Sequence, residues 1–419
     1  RGLITYTDTH LFIGFHALDN PKNIRASIRP RDNFSLWRDD VVLVRLDPYA
    51  DGRNNYIIVV NPLGSNFDVR SVNAIEEDDR YDISFNMEFE TAGQLVSDGY
   101  QVEIKIPFSS LPFPNGKDQL WHFNFFRKYF DNGNEIELSS QTFDRDNSCE
   151  VCQTTDQLVL KDIVIEKRFE LLPYIAGNFS GKRAQAQAPF DFDKLNPNAG
   201  LGVNLDLNKT STLEITMNPD FSQVEADVTQ IDINSSYALE YPERRPFFNR
   251  GTDVVDFIDG AFYSRSINNP LVSSKLLTQG QKSRIYFLTA LDQNSPYTVA
   301  AEDRSYFGEG GQSFVNVLRY QHLFSKNTRM GVVTTNRYYQ NGGFSNLFGT
   351  DGRFILSKNW QLNYEVFTNK NLEPTSNWID SEDVLISKTA ALDGETFSGT
   401  ALYLQLFHNT EHWKSSLAL

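Results

Sequence analysis

Between Leu201 and Met217 the chain reads LGVNLDLNKTSTLEITM, with Leu201, Val203, Leu205 and Leu207 alternating against Gly202, Asn204, Asp206 and Asn208. Successive side chains on a strand leave on opposite faces, so a strict period of two commits a segment to a sheet with one apolar face. The run reads as a hairpin turning at Asn208-Lys209-Thr210, and the same pattern returns at WQLNYEV (360–366) and LYLQL (402–406). Alternating segments of about ten residues suit strands that cross a membrane barrel, one face to lipid and one to the lumen. Closing such a sheet satisfies every backbone group inside the bilayer. A water-soluble sandwich or barrel alternates for the same reason and is the other reading of the pattern.

The first 165 residues alternate differently, in shorter strands broken by frequent turns. LFIGFHA (11–17) is one strand, and DVVLVRLD (40–47) with YIIVVN (56–61) makes a hairpin across an Asp-Gly turn signal at Asp51-Gly52. QVEIKIP (101–107) and WHFNFFR (121–127) each keep one wet face. Strands at this spacing without helices between them predict an antiparallel β-sandwich. At 419 residues two domains are expected. The boundary falls near DIVIEKR (162–168), a linker or last strand. The resulting class is all-β with little helix: a sandwich over 1–165, then barrel strands over 166–419.

A net charge of -15 argues against nucleic acid, whose phosphates call for a basic surface. Aromatics at 13 % favour strands and fit the girdles of membrane barrels. No run approaches the about 20 apolar residues of a spanning helix, and no signal peptide is visible. The chain opens at Arg1 without a methionine and closes in strand-like SSLAL (415–419), which reads as a trimmed segment of something longer. After Asp253 it offers about eight strands of membrane length, fewer than a large barrel needs.

One stretch obeys neither grammar. NPDFSQVEAD (218–227) and YPERRPFF (241–248) set charges between prolines and aromatics, and a non-strand inset near 218–250 is expected because proline cannot donate to a sheet ladder. These two motifs, with FYSRS (262–266) further on, resemble the signature of large Bacteroidota-type outer-membrane proteins. Such proteins carry an N-terminal domain similar to carbohydrate-binding module family 9 and a C-terminal domain thought to be a β-barrel. The succession LFIGFHALD, RDD, YIIVVNPLG, DGYQVEIKIPFSSL resembles the family-9 module. The resemblance implies the outer membrane of a Gram-negative bacterium as location, and outer-membrane lipid, a glycan and other envelope proteins as partners. It implies binding or uptake of a glycan or related nutrient. A surface glycoside hydrolase and a structural partner of envelope proteins are the alternatives.

Candidate sites follow. Trp37, Tyr49 and Tyr56 are the rings offered for sugar stacking, with Tyr81 and Trp121 behind them. Trp37 leads, since it sits in loop-like sequence, whereas Trp121 reads as core. Asp39, Asp40, Asp47 and Asp51 surround one hairpin. They are either turn-capping residues on a solvated acidic rim or the oxygen ligands of Ca²⁺, the latter helped by the structural calcium that the family-9 resemblance implies. Cys149 and Cys152 form a lone CxxC with no second ligand pair. It reads first as a local disulfide of an oxidising compartment, then as free thiols, and least as redox or metal chemistry. No hydrolase motif is present, and Glu225 and Asp227, with Asp220 nearby, are the carboxylates a hydrolase would have to use. Within the inset, Arg244 and Arg245 are expected to meet Glu225, Asp227 and Glu243 in a structural clasp, or else to line a lumen as a gate.

Overall fold

The computed structural model describes the chain apart from residues 53, 73–80, 83–86, 115–117, 132, 145, 148, 165–168, 179–180, 184–188, 193, 209, 220–242, 244, 259, 281, 301–304, 310, 326–327, 374–393 and 411. It is all-β, 61 % strand and 6 % helical, as the alternating patterns require.

The N-terminal part holds β1 (Gly2–Tyr6), β2 (His10–Leu18), β3 (Val41–Asp47), β4 (Asn54–Val60), β5 (Asn66–Val72), β6 (Tyr81–Asp82), β7 (Glu90–Val96), β8 (Gly99–Pro107), β9 (Gln119–Asp131), β10 (Asn134–Ser139) and β11 (Asp156–Leu160). They form two antiparallel sheets, β1-β2-β8-β7 and β10-β9-β3-β4-β5-β6 with β11 on β9. One apolar core draws on both: Ile13 and Phe15 of β2 and Val102 and Ile104 of β8 meet Val44 of β3, Ile58 of β4 and Trp121 of β9. Trp121 is wholly buried against Phe108 and Phe113 at 5.8 and 5.2 Å, where its strand periodicity places it. The far face of the second sheet carries a smaller cluster of Val41, Leu43, Ile57, Val59, Phe67 and Val69, closed by Leu36. Leu36 lies in a short 3₁₀ turn, Phe34–Arg38, started by the Asn33 carboxamide accepting from the Ser35 amide.

The remaining strands are β12 (Phe169–Asn178), β13 (Gly181–Lys182), β14 (Asp191–Phe192), β15 (Asn196–Asn208), β16 (Ser211–Met217), β17 (Pro270–Gln279), β18 (Ser283–Asp292), β19 (Pro296–Ala300), β20 (Ser305–Glu309), β21 (Ser313–Leu323), β22 (Arg329–Tyr339), β23 (Phe344–Ile355), β24 (Trp360–Leu372), β25 (Thr396–Asn409) and β26 (Lys414–Ala418). Eleven of them make one antiparallel sheet, β12-β15-β16-β17-β18-β21-β22-β23-β24-β25-β26; β13/β14 and β19/β20 are separate hairpins. The sheet is open, with β12 and β26 at its edges, and among the described residues it does not close into a barrel.

Its two faces differ chemically. Cross-strand register aligns Leu205, Leu213, Leu276, Phe287, Leu318, Thr334 and Phe348 in one row. A second row runs Ile285, Tyr320, Val332, Thr350, Val366 and Leu402. Phe287, Leu318, Phe348 and Leu402 in these rows are exposed. The opposite face carries Glu214, Lys275, Arg284, Arg319, Gln321, Gln361, Asn363 and Glu365, all buried. The outer face is thus apolar and exposed, while the inner face is mixed, burying Leu277, Tyr286, Leu288, Val317 and Phe367 beside these polar and charged groups.

Candidate functional site

The inset supplies what covers the inner face. Pro246–Asn249 is a single helical turn, a proline at its first position being the one place a helix accepts it. Gly251 follows at φ 86, a left-handed conformation open to glycine, and turns the chain into a 3₁₀ turn, Thr252–Val254. A third short turn is Ser264–Ser266. The fully buried Phe248, with Phe247, Val254, Phe257 and Ile267, packs on Leu277, Tyr286, Leu288, Val317 and Phe367 of the sheet. Proline content predicted this interruption.

A second contact set holds the inset by its backbone. Lys275 Nζ donates to the carbonyls of Phe247 and of Arg250 (3.0 Å) and pairs with Glu214 at 2.9 Å. Arg319 Nε donates to the Val254 carbonyl at 3.1 Å while its guanidinium grips Asp351. Arg337 reaches the Ser266 carbonyl at 2.9 Å. Glu365 accepts from the Ile258 amide at 3.0 Å, and Asp292 from the amides of Asn268 and Asn269. Buried polar groups need partners, and the inset backbone is what these side chains bind.

The expected clasp is present in part. Arg245 makes a two-pronged pair with Glu243, Nε to Oε1 at 2.9 Å and a terminal nitrogen to Oε2 at 2.7 Å. Its remaining donors go to the carbonyls of Ile267 (2.6 Å) and Ser264 (2.9 Å), and the Ser264 hydroxyl donates to Glu243 at 2.6 Å. The guanidinium also lies over the Phe248 ring at 4.2 Å. The YPERRPFF and FYSRS motifs are thus joined through Glu243, Arg245 and Ser264. Burial alone would raise the Glu243 carboxyl; the Arg245 hydrogen bonds and charge bring it below its ordinary value. Glu225, Asp227 and Arg244 lie outside the described residues.

A three-residue node was not foreseen. Asp253 pairs with Arg70 of β5 at 2.7 Å and with Arg284 of β18, and all three side chains are at most 9 % exposed. Burial pushes the Asp253 carboxyl up, but the charges of Arg284 and Arg70 overcome it and hold it well below the usual carboxylate range. This node ties N-terminal sheet, inset and eleven-stranded sheet together. Its members are far apart in sequence, and nothing local marks them.

Trp37 is 37 % exposed, beside Phe34 and against Phe67, with Lys128 Nζ 4.9 Å from its ring centre. The other two stacking candidates are placed differently. Tyr56 is a buried core residue, because β4 turns that position inward, so it offers no face to a sugar. Tyr49 uses its hydroxyl to donate to the Gln279 carbonyl at 2.9 Å, a contact between the two parts of the chain. Tyr81 packs against the smaller cluster.

The four aspartates do not converge. Asp39 and Asp40 precede β3, whereas Asp47 and Asp51 stand at its other end, about 23 Å away at strand rise. Asp39, Asp40 and Asp47 are buried, not on a solvated rim. The Asp39 carboxylate accepts from the Ser27 amide and the Asn61 carboxamide, and that of Asp47 from the amides of Tyr49 and Gly52, which is turn chemistry. Burial, with Asp19 nearby, lifts the Asp40 carboxyl to about 6. Among the described residues no group of three or more His, Cys, Asp or Glu could hold a metal. Cys149 and Cys152 are joined in a disulfide.

A family model described as a domain of unknown function (DUF5916) matches residues 166–286. Neither the curated proteins nor the solved structures compared with the chain give a match. The matched stretch begins just before β12 and ends within β18, so it contains the whole inset and the strands on either side of it.

Proposed function

We propose that the N-terminal sheet pair is a soluble β-sandwich and that the eleven-stranded sheet is wall of an outer-membrane β-barrel whose lumen the inset occupies. The observation that carries this reading is the exposed apolar outer face of the sheet, opposite an inner face that buries Glu214, Lys275, Arg284, Arg319 and Glu365. A face of Leu, Phe, Tyr and Val is exposed across consecutive strands, and contiguous exposed apolar surface marks contact with a partner or a membrane. Lipid accommodates that face, and charged and amide side chains facing inward are the usual lining of a membrane barrel. Leu318, on the exposed row, separates this from a water-facing sheet. Leu318→Arg is expected to cost about 2–4 kcal/mol of membrane-folded stability at mid-bilayer, read as a lowered urea midpoint in lipid vesicles and loss from the outer-membrane fraction. On a water-facing sheet the change would stay within about 0.5 kcal/mol, and that result would sink the membrane reading.

The barrel and its attached sandwich would serve binding or uptake of a glycan or related nutrient. The observation favouring a ligand is the exposed Trp37 ring, which with the exposed Phe34 packs on Phe67, an apolar surface of the kind sugar faces stack on. Trp37→Ala is expected to leave the fold intact and weaken binding to an immobilised glycan array about fivefold or more, on the order of 1 kcal/mol. Equal binding by both proteins would remove Trp37 from the site.

A further inference from the structure

We infer that the N-terminal sandwich stands on the periplasmic side of the membrane, docked on the barrel's short-turn rim with its Trp37 pole pointing away from the bilayer. This rests on the barrel reading above. Successive strands of the sheet are joined at one end by residues 209–210, 280–282, 324–328, 356–359 and 410–413. At the other end the connections are 179–195, 218–269, 293–312, 340–343 and 373–395. Outer-membrane barrels keep short turns toward the periplasm and long connections toward the exterior, which orients this sheet.

The sandwich meets the short-turn end. Tyr49 donates to the carbonyl of Gln279, the last residue before the 280–282 turn. Asp144 pairs with Lys358 at 2.7 Å, and the Asp146 carbonyl accepts from Asn359 at 3.0 Å, both in the 356–359 turn. Arg284, the second residue of β18, completes the contact through Asp253 and Arg70. These contacts come from one strand end, one strand start and one turn further along the sheet, so the docking spans the rim. The sandwich reaches it with the β3–β4 connection, and Trp37 lies beyond the opposite end of β3, about 23 Å along that strand. A ligand of the Trp37 pole is therefore one met in the periplasm and not in the medium.

Single cysteines and a membrane-impermeant maleimide test this in cells of a Gram-negative host making the full chain. Ile28, 86 % exposed, reports the sandwich, and Asn341, exposed in the 340–343 connection, reports the opposite rim. The native cysteines are paired with each other, so the parent chain serves as the unlabelled control. Asn341→Cys is expected to react on intact cells, and Ile28→Cys only after the outer membrane is permeabilised. Labelling of Ile28→Cys on intact cells overturns the orientation, as does protection of both positions in a chain recovered with the outer membrane. Recovery of the chain in the soluble fraction instead overturns the barrel reading itself.

Discussion

Asp253→Ala is expected to destabilise the docked arrangement by about 3–5 kcal/mol, because it removes the buried carboxylate that two buried guanidinium groups share. The loss should be read as a lowered denaturant midpoint and as earlier proteolytic release of the N-terminal sheets. Arg70→Ala should cost less, since Arg284 still satisfies the carboxylate, and the Arg70/Asp253 double-mutant cycle should return a clear coupling energy. The pH dependence follows from the direction of the shift. The folded-state value of Asp253 lies below its ordinary 3.8, so its contribution is complete above about pH 5 and is lost as pH falls through the folded value. Docking should therefore be insensitive to pH from about 5 to 8 and weaken only in strong acid. Unchanged stability of Asp253→Ala would mean that the node is incidental to how the parts are held.

Arg245→Ala should be comparably damaging, about 3–5 kcal/mol, for a different reason. It strands the Glu243 carboxylate in a buried site and frees the carbonyls of Ser264 and Ile267 together. Lysine is not an adequate substitute, because the ammonium cannot reproduce the planar fork that meets both Glu243 oxygens. Arg245→Lys should thus keep the charge and lose most of the stabilisation. Replacing both partners, Arg245→Met with Glu243→Gln, should recover part of the loss, since no unpaired charge is left behind. Limited proteolysis between residues 246 and 269 is the readout, and equal protection in the Arg245→Ala and parent chains would remove the clasp from the account of the inset.

How far each feature could be read from the chain depended on how local its cause is. The LGVNLDLNKTSTLEITM hairpin was legible because strand periodicity acts between neighbours, and β15 and β16 pair antiparallel with Asn208 opposite Ser211. The long segments after Asp253 were legible for the same reason, about eight being expected and β17, β18 and β21 to β26 lying in the sheet. Pro242 and Pro246 marked the inset, since a missing amide excludes a ladder wherever it stands. The Tyr56 reading and the shared Ca²⁺ site failed on orientation, whereas Asp47 caps its own turn: proximity in sequence placed Asp39 and Asp47 together, but an extended strand between them drives them apart.

The sequence by itself determined the all-β class, the two strand grammars, the interruption near YPERRPFF and the alternating apolar rows, because each arises from backbone stereochemistry over a few residues. Only the tertiary structure decided which alternating face is covered, which carbonyls Lys275 and Arg319 bind, and that Arg70, Asp253 and Arg284 converge. Those outcomes depend on register summed across eleven strands and on burial of charge, whose energy is set by groups distant in sequence and near only after folding.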